Sequence, residues 1–395
     1  MLSASSAAVV RETLPVVGAA IGDITPVFYG KMFADHPELL DNLFNRGNQV
    51  NGEQQKALAG SIATFATLLL ERPDDRPDAM LARIAHKHVS VGVTEDQYPL
   101  VHHYLFAAIV EVLGDIVTPE VAAAWDEVYW LMAKSLIAAE KTLMAQAGSD
   151  RYGQWRPWRV DARTEETADV VSFLLSPADD APVPGFRPGQ YVSVAVDLPD
   201  GSRQLRQYSL SSGPLAEQRR LTVKRVHGGG RPAGEVSDHL HRHTREGDLL
   251  QLSAPFGDIA LEDGDGPLLL ASAGIGITPM IGMLRHLSDT GSRRRVVVVH
   301  ADRSEDDHAM RAEQAALVDA LPGAELHLWY EQGARDGEAR TGLCDLSVLD
   351  LPAGTTAYLC GPVPFLKATR EDLLRGGVAA RDVHYEVFGP DLGLA

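Results

Sequence analysis

The chain has 395 residues, a formal net charge of −18, 45% hydrophobic and 23% charged residues, and two cysteines. That length accommodates two or three domains with cores of their own. The acidity argues against nucleic acid and anionic membranes as partners, because both need basic surface. Two thiols exclude a disulfide framework and also the four-cysteine iron–sulfur clusters often fused to electron-transfer modules.

No apolar run approaches the length of a membrane span. The start, Met1-Leu2-Ser3-Ala4, lacks the basic and apolar segments of a signal peptide. A cytoplasmic, monomeric protein acting on small molecules is the expectation, with no nucleic-acid partner and no integral membrane association.

Residues 1–147 read as helical. Apolar residues recur at three- and four-residue spacing, as in Phe28, Met32 and Phe33, then Ile62, Phe65, Leu68 and Leu69. Thr118-Pro119 supplies an N-cap and a first-turn proline for a long helix running to Gly148. An all-helical segment of this length is a bundle or a globin. Within it, Leu81, Ile84, Ala85 and His88 share one stripe, whereas His86 lies off it. His102, beside Leu105 and Phe106, is a rival on geometry alone. Glu140 has Leu136, Ile137, Leu143 and Met144 at all four neighbouring helical positions, and a carboxylate there is costly unless hydrogen-bonded. Tyr98 lies on a stripe with Val101, Leu105 and Val112. An inward histidine, acid and phenol on three helices suggest groups that orient a metal-bound imidazole. A structural polar network reads the same way.

A linker over 148–157 breaks the helical period. Residues 158–265 then show short strands (Val170 to Leu175, Tyr191 to Val196, Tyr208 to Leu210, Leu221 to Val226, Leu249 to Leu252) between Gly/Pro/Asp turns. This predicts a small antiparallel β-barrel. Residues 266–395 alternate strands and helices, starting at Leu268 to Ala271 and ending with Val383 to Phe388, which predicts an α/β domain with a parallel sheet.

Two stretches here carry chemistry. Arg206-Gln207-Tyr208-Ser209-Leu210 offers a guanidinium fork for phosphate, a flat aromatic face and a hydroxyl, although an ordinary half-buried strand alternates likewise. Ser272-Ala273-Gly274-Ile275-Gly276-Ile277-Thr278-Pro279 follows a buried strand, and its glycines let backbone approach a pyrophosphate. A helix is predicted to open at Thr278 as N-cap and Pro279 as first residue. Cys360-Gly361-Pro362 ends a later strand. Arg303-Ser304 could hold a 2′-phosphate, yet Asp302, Glu305 and Asp306 oppose one.

Preceded by Pro188-Gly189-Gln190-Tyr191, the Arg206 to Leu210 strand resembles the flavin site of the ferredoxin–NADP reductase superfamily. The whole chain resembles the bacterial flavohaemoglobins, which are nitric oxide dioxygenases. The resemblance rests on Phe28-Tyr29-x-x-Met32-Phe33, Asn48-Gln49-x-Asn51-Gly52-x-Gln54, Lys87-His88, Arg206-Gln207-Tyr208-Ser209, Tyr358-Leu359-Cys360-Gly361-Pro362 and His384-Tyr385-Glu386-x-Phe388-Gly389-Pro390.

It implies haem b, FAD and NAD(P)H as cofactors, and electron flow from NAD(P)H through FAD to haem, with nitric oxide and O2 converted to nitrate. His88 would be the proximal ligand, with Tyr98 and Glu140 around it, and Tyr29 the distal donor. Gln54 and Leu58 would line the distal side, and Phe44 would pack on the porphyrin. Lys87 and Glu386 match positions between haem and flavin. Tyr191, Arg206, Gln207, Tyr208, Ser209, Gly234, Val236, Ser237, Val387, Phe388, Gly389 and Pro390 would contact FAD. Gly274 to Pro279 and Cys360 to Pro362 would contact the dinucleotide. Ile277 and Val387 depart from residues found in many members, and the 227–237 segment is longer than the usual phosphate loop. The alternatives are a haem–flavin hydroperoxide reductase acting on lipid and a redox- or gas-sensing haemoprotein.

Overall fold

The computed structural model describes residues 2–39, 53–72, 77–148, 153–228, 234–332, 337 and 339–389, and not the side chains of 53–59 and 79. Phe44, Pro390 and the Gly229–Ala233 stretch lie outside the described residues, as do the side chains of Gln54 and Leu58. Two compact units emerge: residues 1–155 with 195–206, and residues 156–194 with 207–395.

The first unit contains α1 (Ala4–Asp35), α2 (Glu53–Glu71), α3 (Asp78–Val91), α4 (Gln97–Leu113) and α5 (Pro119–Gln146). The Ser3 hydroxyl caps α1 by accepting from the Ser6 amide. Thr118 caps α5 with Pro119 in its first turn, as its sequence dictates. Gly92 ends α3 in the left-handed region (φ 85°), where its amide bonds the His88 and Val89 carbonyls. α1 packs on α2, α4 and α5, and α3 packs on α5. Val10, Phe28, Met32, Phe65, Ala85, Leu105, Ala108, Val128 and Leu136 form the core. Contrary to the sequence expectation, residues 97–116 are long and apolar enough to cross a bilayer. Yet Tyr98, Tyr104, Leu105 and Ala108 of this stretch are buried in the helical core.

The rest of the chain builds two sheets. The first contains β1 (Arg156–Thr167), β2 (Val170–Pro177), β3 (Tyr191–Asp197), β4 (Arg203–Ser209), β5 (Arg219–Lys224) and β6 (Leu249–Leu252), in the order β4-β3-β6-β1-β2-β5. A bridge between Leu210 and Leu221 joins its two ends, which is how a small barrel hides its edges. β1 is absent from the sequence expectation although it is 12 residues long. Register shifts at Val160/Ala162 and Glu165/Thr167 break its alternation, so its apolar and charged residues do not keep period two. A short helix, α6 (Glu235–His243), was also not expected within this stretch.

The second sheet is parallel: β7 (Leu268–Ala273), β8 (Val296–Asp302), β9 (Ala324–Tyr330), β10 (Arg340–Thr341), β11 (Thr356–Cys360) and β12 (Val383–Glu386). Its order is β10-β9-β8-β7-β11-β12. Helices α7 (Ile277–Asp289), α8 (Arg311–Asp319) and α9 (Val363–Arg375) alternate with the strands. Leu268, Leu270, Val296 and Val298 face one core, and Leu269, Ala271, Val297 and Val299 face the other. Burial on both faces explains why these strands read as continuous apolar runs. The order reverses between β7 and β11, and in such sheets the crevice beyond those strand ends is where ligands bind.

Two boundaries differ from expectation. α7 begins at Ile277 with Gly276 as N-cap, so Thr278 and Pro279 sit inside the first turn. A 3₁₀ turn over Gly274–Gly276 advances the helix start. The last strand stops at Glu386, short of Phe388.

Candidate functional site

In the helical unit, three helices bring the inward polar residues together. Tyr98 (α4) donates its hydroxyl to Glu140 Oε1 (α5) at 2.5 Å. His88 Nδ1 (α3) lies 2.8 Å from the same oxygen and 3.1 Å from the Tyr98 hydroxyl. An ionised carboxylate only accepts, so Nδ1 carries the proton and Nε2 is left with its lone pair. The His88 side chain is 31% exposed and that of Glu140 is 1% exposed. This arrangement fits a haem: a buried acceptor fixes one imidazole nitrogen, which presents the other as the ligating atom. His102, the rival, is engaged elsewhere. Its Nε2 meets Asp126 Oδ1 at 2.8 Å and its ring stacks on Phe106 and Trp130. Tyr29 on α1 is buried, stacked on Phe33, and burial pushes its phenol pKa up. Lys87 is exposed.

On the barrel, Tyr191 opens β3 and Arg206, Gln207, Tyr208 and Ser209 end β4. Arg206 Nη1 donates to the Leu205 carbonyl at 2.7 Å, and Gln207 Nε2 to Ser193 Oγ at 3.2 Å. Ser209 Oγ is buried without a hydrogen-bond partner among the described residues. Buried hydroxyls are almost always bonded, so this one fits a ligand atom. Gly234 is the N-cap of α6, and Ser237 Oγ donates to its carbonyl while accepting from the Val226 amide. Val236 and Ser237 are buried just behind that helix start. Arg225 grips Asp238 through Nε at 2.8 Å, anchoring the helix to the end of β5. Backbone amides exposed at a helix start suit a phosphate, so these residues fit FAD.

The crevice expected to take the dinucleotide is set by two glycines. A Cβ on Gly276 would lie 2.2 Å from the Cys360 carbonyl oxygen, and one on Gly361 would lie 3.0 Å from Ala273 Cβ. Only glycine lets the two turns meet, leaving the start of α7 beside the Cys360-Gly361-Pro362 turn. Gly274 adopts φ 54°. Ile275 is half-buried, and Thr278 Oγ1 donates to its carbonyl at 3.1 Å. Ile277, Thr278 and Pro279 are buried beneath the loop. Burial pushes the Cys360 thiol well above its usual pKa, so it is not a ready nucleophile. Pro362 caps α9, giving the crevice a second helix start. Beyond β12, Val387 is half-buried, Phe388 is 46% exposed and Gly389 has φ 148°.

Comparisons with known proteins agree along the whole chain. Family models for globins, for the oxidoreductase FAD-binding domain and for the oxidoreductase NAD-binding domain match residues 27–136, 157–261 and 270–371. The flavohaemoprotein of Chromobacterium violaceum is 42% identical, with all of both chains covered. That of Bacillus subtilis is 36% identical over 100% of this chain and 99% of its own. The chain belongs to the flavohaemoprotein family. Among solved structures, a Malassezia yamatoensis flavohaemoglobin with bound FAD and haem matches with a TM-score of 0.90 and 38% identity, over 98% of this chain and 100% of that one. The FAD/NAD-binding domain of a Vibrio cholerae nitric oxide dioxygenase matches 60% of this chain and 99% of its own, with a TM-score of 0.56 and 37% identity.

In this flavohaemoprotein two polar clusters lie beyond the reach of motif reading. In the second unit, Arg220 on β5, Glu313 on α8 and Arg285 on α7 meet. His300 and His308 stack at 3.9 Å, with Ser272 Oγ 2.9 Å from His300 Nδ1 and the Tyr330 hydroxyl 2.8 Å from His308 Nδ1. Burial, with His300 and Arg311 nearby, pushes His308 down to about 2. The one sequence signal was His300 closing the apolar run of β8.

Proposed function

We propose that the chain is an NAD(P)H-dependent nitric oxide dioxygenase that converts nitric oxide and O2 to nitrate. When bound, FAD supplies the hydride acceptor and haem b the one-electron and oxygen chemistry. The observation that carries the reading is the buried Glu140 carboxylate on His88 Nδ1. A proton held by a carboxylate makes the imidazole a stronger electron donor, which oxygen activation uses and simple carriage does not need.

Around that centre we assign His88 as metal ligand and Tyr98 and Glu140 as its orienting partners. Tyr29 is the distal donor. Lys87 and Glu386 serve electron transfer. Ser209, with Arg206 and Tyr208, holds the flavin. The α7 start and Cys360 to Pro362 hold the dinucleotide. Domains 1–147, 158–265 and 266–395 are assigned to haem, FAD and NAD(P)H in turn, in a cytoplasmic monomer.

NADH is the expected donor. Asp302 ends β8, the strand after the glycine loop and α7, and the negative charge of its largely buried carboxylate opposes a 2′-phosphate there. The Glu331 amide bonds the Asp302 carbonyl at 3.1 Å, which places a second acid alongside. Arg303, the nearest cation in sequence, donates to Asp307 at 2.6 Å. Nitrate formed per NADH consumed, with nitric oxide and O2 supplied, tests the reading. NADH turnover that nitric oxide does not accelerate and that yields no nitrate would refute it.

A further inference from the structure

A closed ring of contacts joins the flavin strand to the dinucleotide helix. Arg220 on β5 grips Glu313 on α8 with both ends of its fork, Nη1 to Oε2 at 2.7 Å and Nη2 to Oε1 at 2.9 Å. The same guanidinium holds Ser211, donating Nε to Oγ at 3.0 Å and Nη2 to the carbonyl at 2.8 Å. Ser211 lies two residues past Ser209. Glu313 Oε1 also accepts from Arg285 on α7. One turn earlier on α7, a Cβ at Gly282 would lie 2.6 Å from the Leu210 carbonyl oxygen, so helix and strand end touch backbone to backbone. The path therefore runs from Leu210 and Ser211 through Arg220, Glu313 and Arg285 to Gly282 and back to Leu210.

Three properties set this ring apart from a surface ion pair. The side chains of Arg220, Glu313 and Arg285 are 18%, 21% and 36% exposed. The Arg220 pair is bidentate, the geometry that fixes direction as well as distance. Burial works against ionising Glu313, yet Arg220 and Arg285 outweigh it and hold its carboxyl below the usual range. Removing that acid would leave two cations facing each other across the seam, so repulsion replaces a clamp.

We propose that Glu313 is a positioning residue for hydride transfer. It fixes the strand that ends in Tyr208 and Ser209 against the helix whose start approaches the dinucleotide. The inference rests on the reading that NADH reduces a flavin held by that strand. Hydride transfer is steep in donor–acceptor distance, and a displacement of about 1 Å costs on the order of a hundredfold. Glu313 is not among the groups packed against Gly276 or Gly361, the glycine turns of the crevice, so its loss should loosen the seam and leave both ligands bound.

The test uses the full chain loaded with haem and FAD, mixed anaerobically with NADH while flavin absorbance is followed. Glu313→Gln is expected to slow flavin reduction at least about tenfold at saturating NADH. FAD content and the NADH concentration at half-maximal rate should stay near wild type, and the isotope effect with hydride-deuterated NADH should rise. Amide hydrogen exchange at Leu210 to Ser212 and at Gly282 to Arg285 should quicken, and Glu313→Asp should restore part of the rate. Should Glu313→Gln lose FAD, Arg285→Gln, which leaves the Arg220–Glu313 fork in place, is judged by the same criterion. Flavin reduction within twofold of wild type, or slowing without faster exchange at those amides, overturns the proposal. A wild-type protein whose flavin NADH does not reduce would instead sink the hydride reading itself.

Discussion

Replacing Glu140 by glutamine separates the charge of the carboxylate from its shape. The acid is buried, with Oε1 accepting from both Tyr98 and His88 and Oε2 buried without a hydrogen-bond partner among the described residues. A glutamine can keep its carbonyl on those two donors, but its amide then occupies the empty Oε2 position. Two N–H groups stranded there cost about 1–3 kcal/mol of stability. The bond to His88 changes from charge-assisted to neutral, a weakening of roughly 1–1.5 kcal/mol. If that difference falls mainly on ferric haem, which a basic imidazole stabilises most, the one-electron potential rises by about 40–60 mV. Potentiometry on the haem-loaded variant reads the shift, and the iron–histidine stretching frequency should fall with it. Tyr98→Phe leaves the His88–Glu140 bond in place and should shift the potential less. An unshifted potential and stretch in Glu140→Gln would show that the carboxylate does not tune the imidazole.

Four further outcomes are expected. Tyr29→Phe should leave folding and flavin reduction intact, while the lost hydroxyl, worth about 1–3 kcal/mol, speeds O2 dissociation roughly 5- to 150-fold in flash photolysis. Gly276→Ala places a Cβ 2.2 Å from the Cys360 carbonyl. It should raise the KM for NADH and lower the melting temperature of the reductase half, while FAD stays bound; unchanged KM and melting would refute the close approach. Glu331→Arg should move the kcat/KM ratio toward NADPH, and an unaltered ratio would place the 2′-position elsewhere. The last expectation concerns pH. His308 is buried with its pKa pushed down to about 2, so the folded state stays neutral while the unfolded chain takes up a proton near 6.5. Stability is therefore lost as pH falls below 6.5, by about 1.4 kcal/mol between pH 7.5 and 5.5 for this one group. His308→Gln should flatten that part of the profile in denaturant titrations.

The helical site was legible because α-helical geometry projects sequence spacing directly onto a face. Glu140 among Leu136, Ile137, Leu143 and Met144 must point inward, and α3 carries His88 on the stripe of Leu81 and Ala85 for the same reason. The choice between His88 and His102 was not settled by spacing, since both lie among apolar residues. What each ring meets favours His88: Glu140 and Tyr98 hold its Nδ1, whereas the His102 Nε2 is engaged by Asp126. Apolar runs buried on both faces made β7 and β8 equally plain. β1 was not visible, because bulges at two places turn its charged and apolar residues out of phase.

The contacts that join one segment to another were the least legible, and the reason is physical. A glycine in a loop signals only that a side chain is unwelcome, not what it would strike. Gly276 looks the same in the sequence whether it faces a phosphate or the Cys360 carbonyl, and the structure shows that it must admit that carbonyl first. The two turns close on each other only because β7 and β11 are neighbours in the sheet, although 82 residues separate Leu359 from Ile277, the first residue of α7. Arg220, Glu313 and Arg285 extend the same point to charge. Each reads alone as an ordinary solvated residue, and only strand order and helix packing turn them into one partly buried junction. Local pattern therefore specifies which elements form and which residues face inward. The spacing between flavin strand and dinucleotide helix is fixed instead by a few long-range contacts, where a single substitution can change rate without changing fold.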